Sequence, residues 1–157
     1  KDYGYMLRED AAYAEKAARV SGLAKDVTEY LSTLEWAPAF EPKLTIAYHS
    51  ACSMQHGQKI TDLPKSLLRK AGFTVKDIPE SHICCGSAGV YNIMQPELAG
   101  RLRERKQGNI AGLKVAAVAA GNIGCIAQLS QNGPAPVVHT VELLDWACGG
   151  PKPAELA

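Results

Sequence analysis

Residues 114–133 read KVAAVAAGNIGCIAQLSQNG. Positions 115–120 carry no polar side chain and read as a fully apolar strand. The glycines at 121 and 124 mark a turn, and residues 124–133 read as a short helix stopping at Gly133. The same strand–turn–helix grammar repeats on either side. Upstream, KLTIAYHS (43–50) has the short, β-prone look of a buried strand ending near His49. LPKSLLRKAG (63–72) carries helix signals, with Asp62 as cap, Pro64 in the first turn and Gly72 past the end. FTVKDI (73–78) reads as a second strand. PELAGRLRERKQGNIAGL (96–113) reads as a helix with Leu98, Leu102, Ile110 and Leu113 facing a core and the run RLRERK facing water. Downstream, PVVHT (136–140) is a last strand and VELLDWA (141–147) a closing helix capped by Thr140. Strands separated by helices imply crossover units, hence an α/β fold with a mainly parallel sheet flanked by helices.

An N-terminal helical segment precedes this pattern. Residues 5–19 are Ala-rich and charged at helical spacing. A second helix, capped by Ser21, puts Leu23, Val27, Tyr30, Leu31 and Leu34 on one face and ends before Pro38. Residues 38–42 read as a linker. The expected organisation is a helical segment over 1–40, from a longer chain, and an α/β domain over 41–157.

Composition narrows the function. The 157 residues, 46% hydrophobic, suffice for one ordinary core. Seventeen basic residues against sixteen acidic ones, with no basic run interleaved with aromatics, exclude an electrostatic case for nucleic acid or an anionic membrane. No apolar run approaches the roughly 20 residues of a membrane span, and no signal peptide is recognisable. The chain starts at Lys1 and not at Met, as expected of the trailing part of a longer protein.

Five cysteines, an odd number without a secretory signal, fit a reducing compartment and metal or redox chemistry better than a disulfide framework. Cys52 follows the strand ending at His49, Cys84 and Cys85 follow the strand at 73–78, and Cys125 follows the strand at 114–120. Loops beyond the carboxyl ends of parallel strands converge, so these four thiols can meet. Four soft thiolates suit zinc or an iron–sulfur cluster, and adjacent cysteines can splay toward different irons. Gly86 would let the backbone approach such a cluster without a Cβ clash.

Other readings compete. The thiols could be metal-free core cysteines, or serve a thiol-redox enzyme with His49 or His82 as base. His49 and His56 flank Cys52, and either could ligate a metal or hydrogen-bond a cluster sulfur; each is equally a histidine paired with backbone at a strand end. Cys148 lies outside the pattern and reads as incidental. Tyr91, Ile93 and Met94 read as packing, and the steps GSAG and GNIG as tight turns beside the cysteines.

Thirty-one residues separate Cys52 from Cys84, then comes Cys84-Cys85-Gly86, and thirty-five residues separate Gly86 from Asn122-Ile123-Gly124-Cys125. This spacing resembles the cysteine-rich CCG family, whose pattern is Cys, a gap of thirty-odd residues, Cys-Cys-Gly, a similar gap and Cys-x-x-Cys. YHSACSMQHGQ (48–58), CCGSAGVYNIMQPELAGRLRERKQGNI (84–110), AAGNIGC (119–125) and VVHTVELLDWA (137–147) resemble the second such domain of glycolate oxidase iron–sulfur subunits, and residues 1–31 resemble the stretch that follows the first. The resemblance implies a non-catalytic, electron-transfer part of an oxidoreductase complex. Its flavin, where glycolate becomes glyoxylate, would reside on partner subunits, and a ferredoxin-like part of the same chain would lie upstream. The implied ligands are Cys52, Cys84, Cys85 and Cys125, holding a 4Fe-4S cluster or, alternatively, zinc; Gly86, Asn122, His49 and His56 would surround it. The implied location is cytoplasmic, peripheral at the inner face of the membrane. Asn122 stands where the family has a fifth cysteine, which argues against the larger cluster of full-pattern relatives. A structural docking module for the flavin subunits, metal-free or holding zinc, is the alternative.

Overall fold

The computed structural model describes residues 1–157, which form two compact units, Lys1–Glu35 and Trp36–Ala157. The first unit holds helices α1 (Tyr3–Met6), α2 (Ala14–Leu23) and α3 (Val27–Leu31). The helix expected over 5–19 is broken, because Asp10 turns its carboxylate to accept from the amides of Ala12 and Tyr13, closing a turn of its own. Ser21 caps nothing. It lies inside α2, where its hydroxyl accepts from the Gly4 amide at 2.8 Å, and the cap of α3 is Asp26, in a capping box with Glu29. Leu23, Val27, Tyr30 and Leu34 are all exposed, so the expected apolar face is not buried.

The second unit is a four-stranded, wholly parallel sheet of order β2-β1-β3-β4, with β1 Thr45–His49, β2 Thr74–Asp77, β3 Ala117–Ala120 and β4 Val137–His139. Helices α4 (Leu63–Lys70), α5 (Tyr91–Met94), α6 (Pro96–Ala111), α7 (Ile123–Leu129) and α8 (Thr140–Ala147) connect and follow the strands. The two central strands are buried along nearly their whole length, as a parallel sheet covered on both faces requires. Strand residues alternate between the faces. Ala47, Val118, Ala120 and Val137 pack with Ile110 of α6 and Cys125 and Leu129 of α7. Ile46, Ala117, Ala119 and Val138 point the other way, toward the layer in which α4 packs on α8. β2 is an edge strand whose Lys76 and Asp77 keep that edge charged.

Local chemistry sets the ends of these elements. Gly72 closes α4 at φ +91°, where a Cβ would stand 3.0 Å from Glu41. The cap of α8 is His139 and not the expected Thr140: its Nδ1 accepts from the Val141 amide at 3.2 Å, and Glu142 accepts in return from the His139 amide. Residues 38–42, expected as linker, are fastened to the second unit, with the Ala39 amide donating to the Ala147 carbonyl and Phe40 edge-on to Trp146. Two readings of α6 change. Leu98 is exposed, and Lys106, the last residue of the run expected to face water, is 1% exposed on the stripe it shares with Ala99 and Ile110. Ile93 and Met94, expected to pack, are exposed as well.

Candidate metal centre

The chain runs from β1 out to β2, then back across β1 to β3, so the strand order reverses between β1 and β3. The crevice beyond the carboxyl ends at such a reversal is where open α/β sheets bind ligands. Register brings the two strand ends level, with His49 paired to Ala120. Cys52 follows β1 and leads into a single π-helical turn, Ser53–Gly57; Cys84 and Cys85 lie in the loop after β2; Cys125 sits in the first turn of α7, just after β3. The four thiols line one pocket of about 180 Å³ together with Ala51, Ser87 and Asn122.

Each loop is held by identifiable contacts. Asn122 caps α7, its side-chain oxygen accepting from the Cys125 amide at 3.2 Å, which orients the helix turn carrying the thiol. The Gly86 amide donates to the Cys84 sulfur at 3.3 Å, which fixes the turn that carries this thiol. Gly86 has φ +98°, and a Cβ there would stand 2.4 Å from the Ala99 carbonyl of α6. The helix behind the loop thus requires a glycine here. Gln128 of α7 donates to that same carbonyl at 3.3 Å and so ties α6 to α7.

The thiols act on one another as two pairs, Cys52 with Cys84 and Cys85 with Cys125. The bond from Cys125, the His49 imidazole and the Ser87 amide hold the Cys85 thiol below its ordinary range, against the opposing effect of burial. Cys125, the donor of that pair, is pushed up by the bond it gives and by burial. Burial and then Cys84 raise Cys52. The opposed shifts, down at Cys85 and up at Cys125, belong to the inner pair as a unit.

His49, 3% exposed, brings a ring nitrogen within 4.8 Å of the Cys85 and Cys125 sulfurs, and its Nε2 has no hydrogen-bond partner. A buried histidine left with an orphan nitrogen beside Cys85 and Cys125, together with the four pocket thiols, is a donor set suited to a thiophilic metal, and such a group fits these residues. His56 is exposed and lies outside the pocket lining, so the structure does not bring it to the site. Cys148 is exposed and also apart from it. Ser87 and Ala51 line the pocket without having been singled out from sequence. Small residues beside cysteines carry no chemical signature of their own.

The cysteine-rich domain model "CCG" matches residues 46–130, more than half of the chain. The chain belongs to the CCG cysteine-rich domain family. The matched segment runs from β1 through α7 and contains all four pocket cysteines. Over 149 residues this CCG chain is 40% identical to the glycolate oxidase iron-sulfur subunit of Escherichia coli, covering 94% of the chain and 36% of that protein. It is 26% identical over 159 residues to the probable glycolate oxidase iron-sulfur subunit of Bacillus subtilis, with the same coverages, and 25% identical over 155 residues to lactate utilization protein A of Bacillus licheniformis, covering 92% of the chain and 64% of that protein. The CCG chain thus spans about a third of the length of the glycolate oxidase subunits it matches.

Proposed function

We propose that this chain is an electron-transfer domain of an iron–sulfur subunit in a 2-hydroxy-acid-oxidising complex, with Cys52, Cys84, Cys85 and Cys125 holding a 4Fe-4S cluster. The observation that carries the reading is the convergence of two thiol pairs on one pocket at the sheet's switch point. Glycolate is the favoured substrate of the complex because the more similar relatives bear that name. Its oxidation to glyoxylate would take place at a flavin on partner subunits, to which a ferredoxin-like part of the same subunit would connect this domain. When bound, the cluster supplies one-electron storage. The chain's own residues orient four sulfurs, keep Cys85 ready as thiolate, and close the inner side of the site with His49. Substrate has no role at this pocket. No helix is long and apolar enough to cross a membrane, and contact with a membrane-side acceptor would be peripheral.

One observation favours a second reading. His49, Cys85 and Cys125 lie close enough to share one ion, and with one further thiol they would complete a tetrahedral zinc site, making the domain a docking scaffold. Metal and sulfide analysis with a visible spectrum, on protein purified without oxygen, separates the two. About four irons and four sulfides per chain with broad visible absorption support the cluster. One zinc and no colour would replace it with the scaffold.

A further inference from the structure

Helices α6 and α7 are tied to each other at two levels, each time by a glutamine amide. Where α7 stops, the Gln107 amide of α6 donates to the carbonyls of Leu129 and Gln131, at 3.0 and 2.8 Å. Near the thiols the direction is reversed, and the Gln128 amide of α7 donates to the Ala99 carbonyl of α6 at 3.3 Å. Gln107 lies eight residues beyond Ala99 on α6. The two levels are therefore about 12 Å apart along that helix.

The ties differ in what stands beside them. Gln128 is 4% exposed and lies one turn beyond Cys125, which is buried on the same face of α7. Its Nε2 is 3.0 Å from the spot that a Cβ on Gly86 would take, and Gly86 immediately follows Cys85. One buried amide thus sits among the helix that carries Cys125, the backbone step behind Cys85 and the first turn of α6. The sulfurs that the first two of these deliver lie within 4.8 Å of each other. An amide bonded in such a junction cannot shift without leaving a buried polar group unpaired.

We propose that Gln128 is a positioning residue for the inner thiols: its amide, bonded to α6 and set against the Gly86 step, fixes the separation at which Cys85 and Cys125 bind one metal centre. The consequence for metal binding rests on the reading of these thiols as ligands under the proposed function, while the spacing rests on the geometry alone. Groups behind a metal site orient its ligands without touching the metal, and losing one costs roughly 10–100-fold in affinity. Gln107, whose contacts lie at the far end of α7, provides an internal control.

Gln128→Met and Gln107→Met each remove one helix–helix tie while keeping a side chain of similar length, and urea unfolding of the metal-free chains should register both losses. Cobalt(II), added to the full chain without oxygen, reads the site through its visible bands and its affinity. Gln128→Met should bind cobalt roughly 10–100-fold more weakly than the parent and with altered bands. Gln107→Met should keep the parent's affinity and spectrum. Gln128→Asn, which keeps the amide but draws it back by one methylene, should follow Gln128→Met and replaces it if that variant does not fold. Parent-like cobalt binding in the Gln128 variants, or an equal loss in Gln107→Met, would overturn the proposal. A parent chain that binds no cobalt would sink the ligand reading instead, and the spacing is then read without metal. Closure of the Cys85–Cys125 disulfide by diamide, located by mass spectrometry, should slow in the Gln128 variants and not in Gln107→Met; equal rates in all four chains would overturn the positioning role.

Discussion

The two thiol pairs face the same pocket from opposite surroundings. Cys85 and Cys125, 1% and 8% exposed, belong to the hydrophobic core cluster, where they pack with Ala47, Val118, Ile110 and Leu129. Cys52 is exposed and Cys84 half-buried. A single donor set is thus built half from the core of the domain and half from its surface. The difference teaches that metal binding and folding are separable on one side of the site and merged on the other.

Replacement of Cys85 by serine breaks the comparison most forcefully. Cys85→Ser should abolish metal retention and also destabilise the metal-free domain by about 1–3 kcal/mol, since it places a hydroxyl in the core cluster. Cys52→Ser should lose metal equally while leaving metal-free stability within about 0.5 kcal/mol. Urea unfolding of both variants with chelator present, beside their metal content, checks this; equal destabilisation would mean that the pairs do not differ in the way described.

The pair of glycines flanking the inner loop sharpens it next. Gly86→Ala should cost upwards of about 2 kcal/mol, combining a left-handed backbone with a collision at the Ala99 carbonyl, whereas Gly89→Ala, at φ +57° with open space around it, should cost about 1 kcal/mol. Thermal melts of the two variants rank them.

Metal uptake should depend on pH with a defined sign. Cys52 and Cys125 are both raised and carry protons at neutral pH, so a metal must displace those protons. Apparent affinity for a probe ion such as cobalt(II) should rise with pH, by at least about a hundredfold per unit, since Cys52 and Cys125 alone give up two protons. Cys85, held low, adds no proton to that count. An affinity flat across neutral pH would show that the raised thiols are not ligands.

The smallest effect concerns access. In the metal-free chain iodoacetamide should modify Cys52 and Cys148 first and Cys85 last, although Cys85 is held below the ordinary thiol range, because burial limits reach. Peptide mapping over time gives the order. Fast alkylation of Cys85 would mean that the core side of the pocket opens readily.

Much of this was legible in the sequence. The repeated strand–helix grammar named the α/β class, since an apolar run such as 115–120 tolerates only burial on both faces. The cysteine spacing named the four thiols that the fold then gathers. Sequence alone misread what depends on neighbours far along the chain. The run RLRERK is charged throughout and reads as a solvated face, yet Lys106 shares a stripe with Ala99 and Ile110, spaced seven and four residues away. That register was the one available signal. His49 and His56 are equivalent by sequence, being three and four residues from Cys52. The strand ends at His49, which buries it beside Cys85, while the π-helical turn carries His56 outward.

The sequence by itself determined the elements, their order and the chemical type of the site, because periodicity, turn residues and thiol spacing act locally or by count. Only the tertiary structure decided which thiols pair, which histidine joins them and that a lysine of α6 is buried. Those outcomes depend on burial and on through-space charge, and both are properties of packed neighbours that no single stretch of the chain contains.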